Sequence, residues 1–124
     1  MSRQFNIPIR ANSNKQRIQL FMEVLYKFHN LSDGLIQLVV ELVDNYYEIQ
    51  GRFTVPQEDG TIFSIMFNTD NRERLAEKLG MSRSVFDTSL SKLRAKGVLT
   101  KDNVINPNYL VPKDEFDLNF KFYV

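Results

Sequence analysis

Two short amphipathic segments separated by a sharp break dominate the hydrophobic pattern between residues 70 and 99. Gly80 predicts a left-handed cap at the end of the first helix. Ser82 predicts the N-cap of the second helix, and Gly97 ends that helix before the apolar pair Val98-Leu99 begins a predicted strand. The apolar positions that share one helical face are Leu75, Ala76 and Leu79 in the first segment and Phe86, Leu90 and Leu93 in the second.

Two longer helices are predicted before this region. Residues 15–29 follow the cap residues Asn12-Ser13-Asn14 and end at Asn30. Residues 33–50 follow Ser32 and are apolar nearly all round, which predicts the most buried helix of the chain. The apolar stripe on the first of these helices comprises Ile18, Phe21, Leu25 and Phe28.

Extended structure is predicted in three other places, from alternation of apolar and polar residues near both ends of the sequence and from a short apolar run between them. Residues 1–14 are expected to form an extended arm, and residues 61–67 a strand. Residues 116–124 alternate without interruption and predict a second strand. This strand needs a partner within the chain or, by strand addition, in a neighbouring subunit. The apolar residues of the arm are Phe5, Ile7 and Ile9, which alternate around Pro8.

The pattern LAxxLGMSxxxF followed by LxxLxxxGVL resembles the winged helix-turn-helix family. The resemblance implies a mainly α (α+β) domain over residues 15–124, with an extra N-terminal helix and a small antiparallel sheet. Its helix-turn-helix core would cover residues 70–97, its wing 98–106 and its C-terminal strand 116–124. In this family the second helix of the core is offered to the DNA major groove. The stretch INPNYL is similar to winged domains of some plasmid and phage replication initiators, which favours a phage or mobile-element origin.

The charge distribution supports this expectation although the net charge is only +1. Residues 72–101 carry eight bases and three acids, and residues 1–17 carry four bases and no acid. Residues 18–71 carry two bases and eight acids, and residues 102–124 carry two bases and four acids. Positive charge is thus concentrated in the arm and in the helix-turn-helix, where a phosphate backbone would attract it.

The resemblance implies a DNA-reading face near the start of the second helix. Arg83 could donate two hydrogen bonds to guanine, and the hydroxyls of Ser84, Thr88 and Ser91 could bond to bases or phosphate. Asp87 departs from the pattern, because a carboxylate repels phosphate unless it accepts a hydrogen bond from cytosine. The residues expected to hold phosphate are Lys92, Arg72, Arg74 and Lys101, with Arg10 and Arg17 from the arm.

Nothing in the sequence predicts an enzyme, a cofactor or a metal site. The chain has no cysteine, a single histidine (His29) and no glycine-rich phosphate loop. No apolar run approaches the roughly 18 residues of a membrane span, and MSRQFNIPIR lacks the apolar core of a secretory signal. We therefore expect a cytoplasmic protein of a bacterium or a phage-infected cell.

The sequence supports two hypotheses of function that belong to different classes. The leading one is duplex DNA binding by a winged helix in transcription regulation or replication initiation. The alternative is a non-enzymatic phage structural or assembly protein, located in the virion, that uses a winged-helix module for protein contacts. A homodimer or another protein partner would then bind through the N-terminal arm or the C-terminal strand.

Overall fold

In the computed structural model, which describes residues 5–123, one long helix lies at the centre of the fold. This central helix packs against the first, fourth and sixth helices, and the fifth packs against the fourth and sixth. The helices are α1 (Asn14–Val24), α2 (Tyr26–His29), α3 (Asp33–Gln50), α4 (Asp59–Met66), α5 (Thr69–Lys78) and α6 (Arg83–Ala95), followed by a short 3-10 helix (Pro107–Tyr109). No helix within this part of the chain combines the length and the apolarity needed to cross a bilayer.

Helix α3 has the bounds that the sequence predicts. Its N-cap is Ser32, whose hydroxyl accepts a hydrogen bond from the Leu35 N–H at 3.4 Å. Burying one large aliphatic side chain stabilises a fold by about 1.5–3 kcal/mol, so this helix supplies much of the core. Its buried residues are Ile36, Leu38, Val39, Val40, Leu42, Val43, Asn45, Tyr46 and Ile49.

The single helix predicted over residues 15–29 is wrong, because the chain breaks at Leu25 into α1 and α2. The break buries His29, whose Nδ1 accepts the Leu31 N–H at 3.0 Å and whose Nε2 donates to the Met22 carbonyl at 2.6 Å. It also leaves Phe28, a predicted core residue, 72% exposed. The apolar stripe therefore continues only to Leu25, which is half-buried.

Residues 61–67 were predicted to be a strand, but residues 61–66 belong to helix α4 and Phe67 is its C-cap. A short apolar run reads equally well as a strand or as a buried helix. Here Ile62, Phe63 and Met66 share one helical face and are buried. The Tyr46 hydroxyl donates to Asp59 Oδ1 at 2.6 Å and ties the start of α4 to α3. Burial first, and this hydrogen bond second, raise the pKa of Tyr46 above its ordinary value.

The predicted mainly α (α+β) winged-helix fold with an antiparallel sheet is wrong, because residues 5–123 contain no strand. The expected wing, residues 98–106, is reduced to one isolated antiparallel bridge between Leu99 and Ile105. The Thr100 N–H donates to the Val104 carbonyl at 2.9 Å. A 3-10 helix begins at Pro107, two residues after the bridge, so the returning chain leaves the pairing direction before a ladder can form.

The predicted C-terminal strand is also wrong over residues 116–123; Val124, and residues 1–4 of the predicted arm, lie outside the described residues. The chain here forms neither helix nor strand and lies along α1 and α2. The Phe116 ring meets Phe21 edge-on, with centroids 5.9 Å apart, and Phe120 stacks on Phe28 at 6.1 Å. These ring contacts use the apolar alternation, so it does not require a sheet.

Candidate nucleic-acid interface

Helices α5 and α6 and the turn between them cover the region predicted to be a helix-turn-helix. Gly80 adopts φ +67° after α5. The Met81 N–H bonds to the Ala76 carbonyl at 2.8 Å and the Gly80 N–H to Glu77 at 3.0 Å, which is the Schellman pattern of a helix C-terminus. The Ser82 hydroxyl accepts the Val85 N–H at 3.2 Å and caps α6. Both predicted caps are confirmed.

The face of α6 that packs on the core is the predicted one. Phe86, Leu90 and Leu93 are fully buried, and Ser89 is buried beside them. The opposite face is exposed to solvent and consists mainly of small and basic residues. Its members are Ser84, Val85, Thr88, Ser91, Lys92, Ala95 and Lys96.

Arg83 is committed to contacts within the protein. Its Nε donates to both carboxylate oxygens of Asp87 at 3.2 Å, and one terminal nitrogen lies 3.4 Å from the Thr69 carbonyl. The same nitrogen is 3.9 Å from Glu73 Oε1. The structure therefore places this side chain beside the turn, with two carboxylates next to it, and its free donors are fewer than the sequence suggests.

Arg72 lies on the other side of Asp87. Its Nε donates to the Phe67 carbonyl at 2.8 Å, and one terminal nitrogen is 3.5 Å from Asp87 Oδ1. Its guanidinium carbon is 5.9 Å from the centroid of the Phe67 ring. Asp87 therefore serves as a shared counter-ion for two arginines, which accounts for an acid on an otherwise basic surface.

The other predicted arginines do not converge on α6 in the same way. Arg74 donates to Asn71 Oδ1 at 2.8 Å and lies 4.0 Å from Glu48. A hydrogen bond from Arg52, and more weakly the charge of Arg74, lower the pKa of Glu48. Arg10 is exposed in the arm.

Arg17 has a structural place that the sequence did not reveal. One terminal nitrogen donates to the Lys113 carbonyl at 2.7 Å, and the other bonds to Asn14. Tyr47 donates in the same region, from its hydroxyl to the Val111 carbonyl at 2.7 Å. Arg17 thus anchors the C-terminal part of the chain to α1, and no contact in the described chain joins it to α6.

Two of the predicted hydroxyls on α6 have their protons engaged. Thr88 donates to the Ser84 carbonyl at 2.9 Å, and Ser91 donates to the Asp87 carbonyl at 3.2 Å. Arg94 donates to the Ser91 oxygen at 2.9 Å. The remaining lone pairs can only accept hydrogen bonds. Thr88 and Ser91 are thus matched to amino groups of a ligand.

Four cations in the second half of this region face no carboxylate within 4.0 Å among residues 5–123. We call them the uncompensated cations: Lys92, Arg94, Lys96 and Lys101. Arg94 bonds to the neutral Asn103 Oδ1 at 2.6 Å, and the three lysines are exposed. The sequence carries a signal for this set, since residues 88–101 contain four bases and no acid, but Arg94 and Lys96 were missed as site residues.

The described residues contain no group of three or more histidines, cysteines and carboxylates placed to hold a metal ion. Comparison with models of protein families, with curated proteins and with solved structures found nothing that matches this chain. Its own residues and geometry are therefore the basis for inferring a function.

Proposed function

We propose that this protein binds duplex DNA through α5, the turn and α6, in transcription control or replication initiation. The observation that carries the proposal is the set of uncompensated cations along and after α6, an exposed helix that follows a tight turn with a cap on each side. A helix of this kind fits the major groove, and uncompensated cations at its side supply the attraction for phosphate.

The exposed face of α6 is suited to close approach, because small side chains leave room for the edges of bases. Ser84, at the start of this face, is exposed. Thr88 and Ser91 offer acceptors, and the major groove presents amino donors on adenine and cytosine. These positions thus fit a modest preference among base pairs, while Arg83 contributes charge near the turn.

Phosphate attraction supplies most of the affinity in this proposal. Each phosphate neutralised by a cation changes the slope of log K against log salt by about 0.9 for B-form DNA. Lys92, Lys96 and Lys101 have no carboxylate partner to give up within the described chain, so each is free to add its share. Arg72 and Arg74 add less, because Asp87 and Glu48 lie beside them.

The test is fluorescence anisotropy with a random duplex at about 50 and 200 mM salt, the range over which phosphate contacts change affinity most visibly. The triple variant Lys92→Gln, Lys96→Gln and Lys101→Gln should bind all sequences more weakly and lower the salt slope by about three. A charge-matched control changes the exposed Lys27, Lys113 and Lys121 to glutamine and should keep most of the slope. Equal loss in both variants, or no wild-type binding at the lower salt, would refute the proposal.

Protein assembly is a second candidate function, favoured by exposed apolar side chains near both ends of the chain. Phe28 and Phe122 are 72% and 93% exposed, and Ile7 is 82% exposed. Apolar surface of this kind marks sites of protein contact when it is contiguous. A wild-type protein that does not bind DNA but forms an oligomer of defined size would support assembly instead.

A further inference from the structure

At both ends of the described chain, backbone groups lack hydrogen-bond partners. Residues 6–11 and 115–123 belong to no helix or strand, and their backbone N–H and C=O groups form no hydrogen bond with any described residue. Backbone groups left unpaired along an extended segment are a template for pairing with another chain. We call residues 5–13 the arm and residues 111–123 the C-terminal segment.

The C-terminal segment is held in place on one side only. Ring contacts of Phe116 and Phe120 fix its apolar face against α1 and α2, and Arg17 and Tyr47 hold its beginning. Its edges, where the backbone groups point, stay open. The segment is therefore presented at a fixed position, which lowers the ordering cost for a chain that docks beside it.

The two faces of the arm match those of the segment. Ile7 and Ile9, 82% and 61% exposed, lie on one face of an extended chain, and Arg10 lies on the other. In the segment, an extended chain places Phe116, Phe120 and Phe122 on one face and Glu115 and Asp117 on the other. Aligning the two apolar faces therefore places Arg10 on the same side as the acids.

The charges of these two parts are opposite and unpaired within the described chain. Arg10 forms no ion pair there, and neither do Asp114, Glu115 and Asp117. Pro8 presents no obstacle, since its missing N–H points to the edge opposite to that of its neighbours, and proline is tolerated on the solvent side of an edge strand. The charges, the apolar faces and the backbone hydrogen-bonding groups of the arm and the C-terminal segment are thus all compatible with pairing between them.

We propose that the arm of one copy of this protein docks along the C-terminal segment of a second copy, through backbone pairing and the Arg10–Asp117 charge pair. The arm leaves α1 at its first residue, whereas the segment runs from Lys113 past Phe21 to Phe28, toward the far end of α1 and α2. In the single chain, Ile7 and Ile9 remain exposed while the segment's edges are open. Reciprocal exchange of two arms gives a closed twofold dimer.

The experiment is sedimentation velocity over a wide concentration range on the full chain and two charge reversals. Arg10→Glu and Asp117→Arg should each raise the dimer dissociation constant about tenfold, since each turns two attractions per dimer into repulsions. An equimolar mixture of the two variants should recover the wild-type constant, because each contact in the mixed dimer then joins opposite charges. Charge removal at the exposed Glu23 (Glu23→Gln) is the matched control and should change nothing.

Recovery on mixing separates a second copy from the arm's own chain. A contact within one chain would be restored only in the double variant, never by mixing two single variants. A wild-type protein that stays monomeric at all concentrations, or a dimer that mixing fails to restore, would overturn the proposal. Since none of these measurements uses DNA, the outcome is independent of the proposed DNA binding.

Discussion

At the scale of single residues, Asp87 shows where sequence reasoning stops. Its spacing of four from Arg83 is a known pattern for a helical ion pair and was readable from the sequence. Its contact with Arg72, fifteen residues earlier, depends on how α5 crosses α6 and could not be predicted from the sequence. Considered alone, the carboxylate of Asp87 would repel DNA phosphate. Because it pairs with Arg72 and Arg83, it instead partly neutralises their positive charge.

Replacing Asp87 by asparagine should strengthen DNA binding. Asp87→Asn keeps the shape but releases Arg72 and Arg83, so affinity for random duplex should rise about three- to tenfold at low salt and the salt slope should steepen by about one. Because these pairs are exposed to solvent, the free energy of unfolding should fall by less than about 1 kcal/mol. Anisotropy and a urea melt measure both, with Glu23→Gln as the control. Weaker binding by the variant would show that Asp87 itself contacts DNA.

At the scale of elements, the sequence predicted the helices whose ends carry specific caps. Helix α3 and the α5–turn–α6 unit were predicted because Ser32, Gly80 and Ser82 act through local hydrogen bonds. Helix α4 was mistaken for a strand because its eight residues show no clear period, and tertiary contacts with α3 decide its conformation. The break at Leu25 was missed for a similar reason, since the buried ring of His29 lies beside Tyr109, whose ring centroid is 6.5 Å away and which is distant in sequence.

Gly80 should be required at the turn because of its positive φ, and not because a larger side chain would clash there. A Cβ at Gly80 would meet no atom within 4 Å, so the cost of Gly80→Ala comes from φ +67° alone and should be about 1–2 kcal/mol. Gly34, in the first turn of α3, also has open space but has no positive φ. Gly34→Ala should therefore stabilise, by up to about 1 kcal/mol. Urea melts that give the two variants the same sign would contradict this account.

At the scale of the whole molecule, the sheet expected from sequence is replaced by contacts of the C-terminal segment with α1 and α2. Alternation in residues 116–123 correctly marked an apolar face but did not reveal what that face packs on. Rings of α1 and α2 cover it only in part, and Phe122 remains exposed. The sequence predicted the region of the candidate interface, because its basic residues are close together in the sequence. It did not predict the ion pairs that reduce their charge, because these depend on the fold.

The C-terminal segment should contribute measurable stability through Phe116 and not through Phe122. Phe116→Ala removes a half-buried ring that packs against Phe21 and should cost about 1–2 kcal/mol. Phe122→Ala, a matched change at a 93% exposed position, should lie within about 0.5 kcal/mol of the wild type. Melts at low protein concentration exclude any effect of dimerisation. Equal stability of the two variants would mean that the segment does not pack on α1.

The clamp between Arg17 and Lys113 also bears on the order in which the chain folds during synthesis. Its partners are 96 positions apart, so the hydrogen bond can form only after residue 113 has left the ribosome. The contacts of α5 and α6 join residues close in sequence and close smaller loops, which cost less entropy. The unit of α5, the turn and α6 can therefore be assembled on the nascent chain while the clamp is still open, and closing the clamp is a later step of folding.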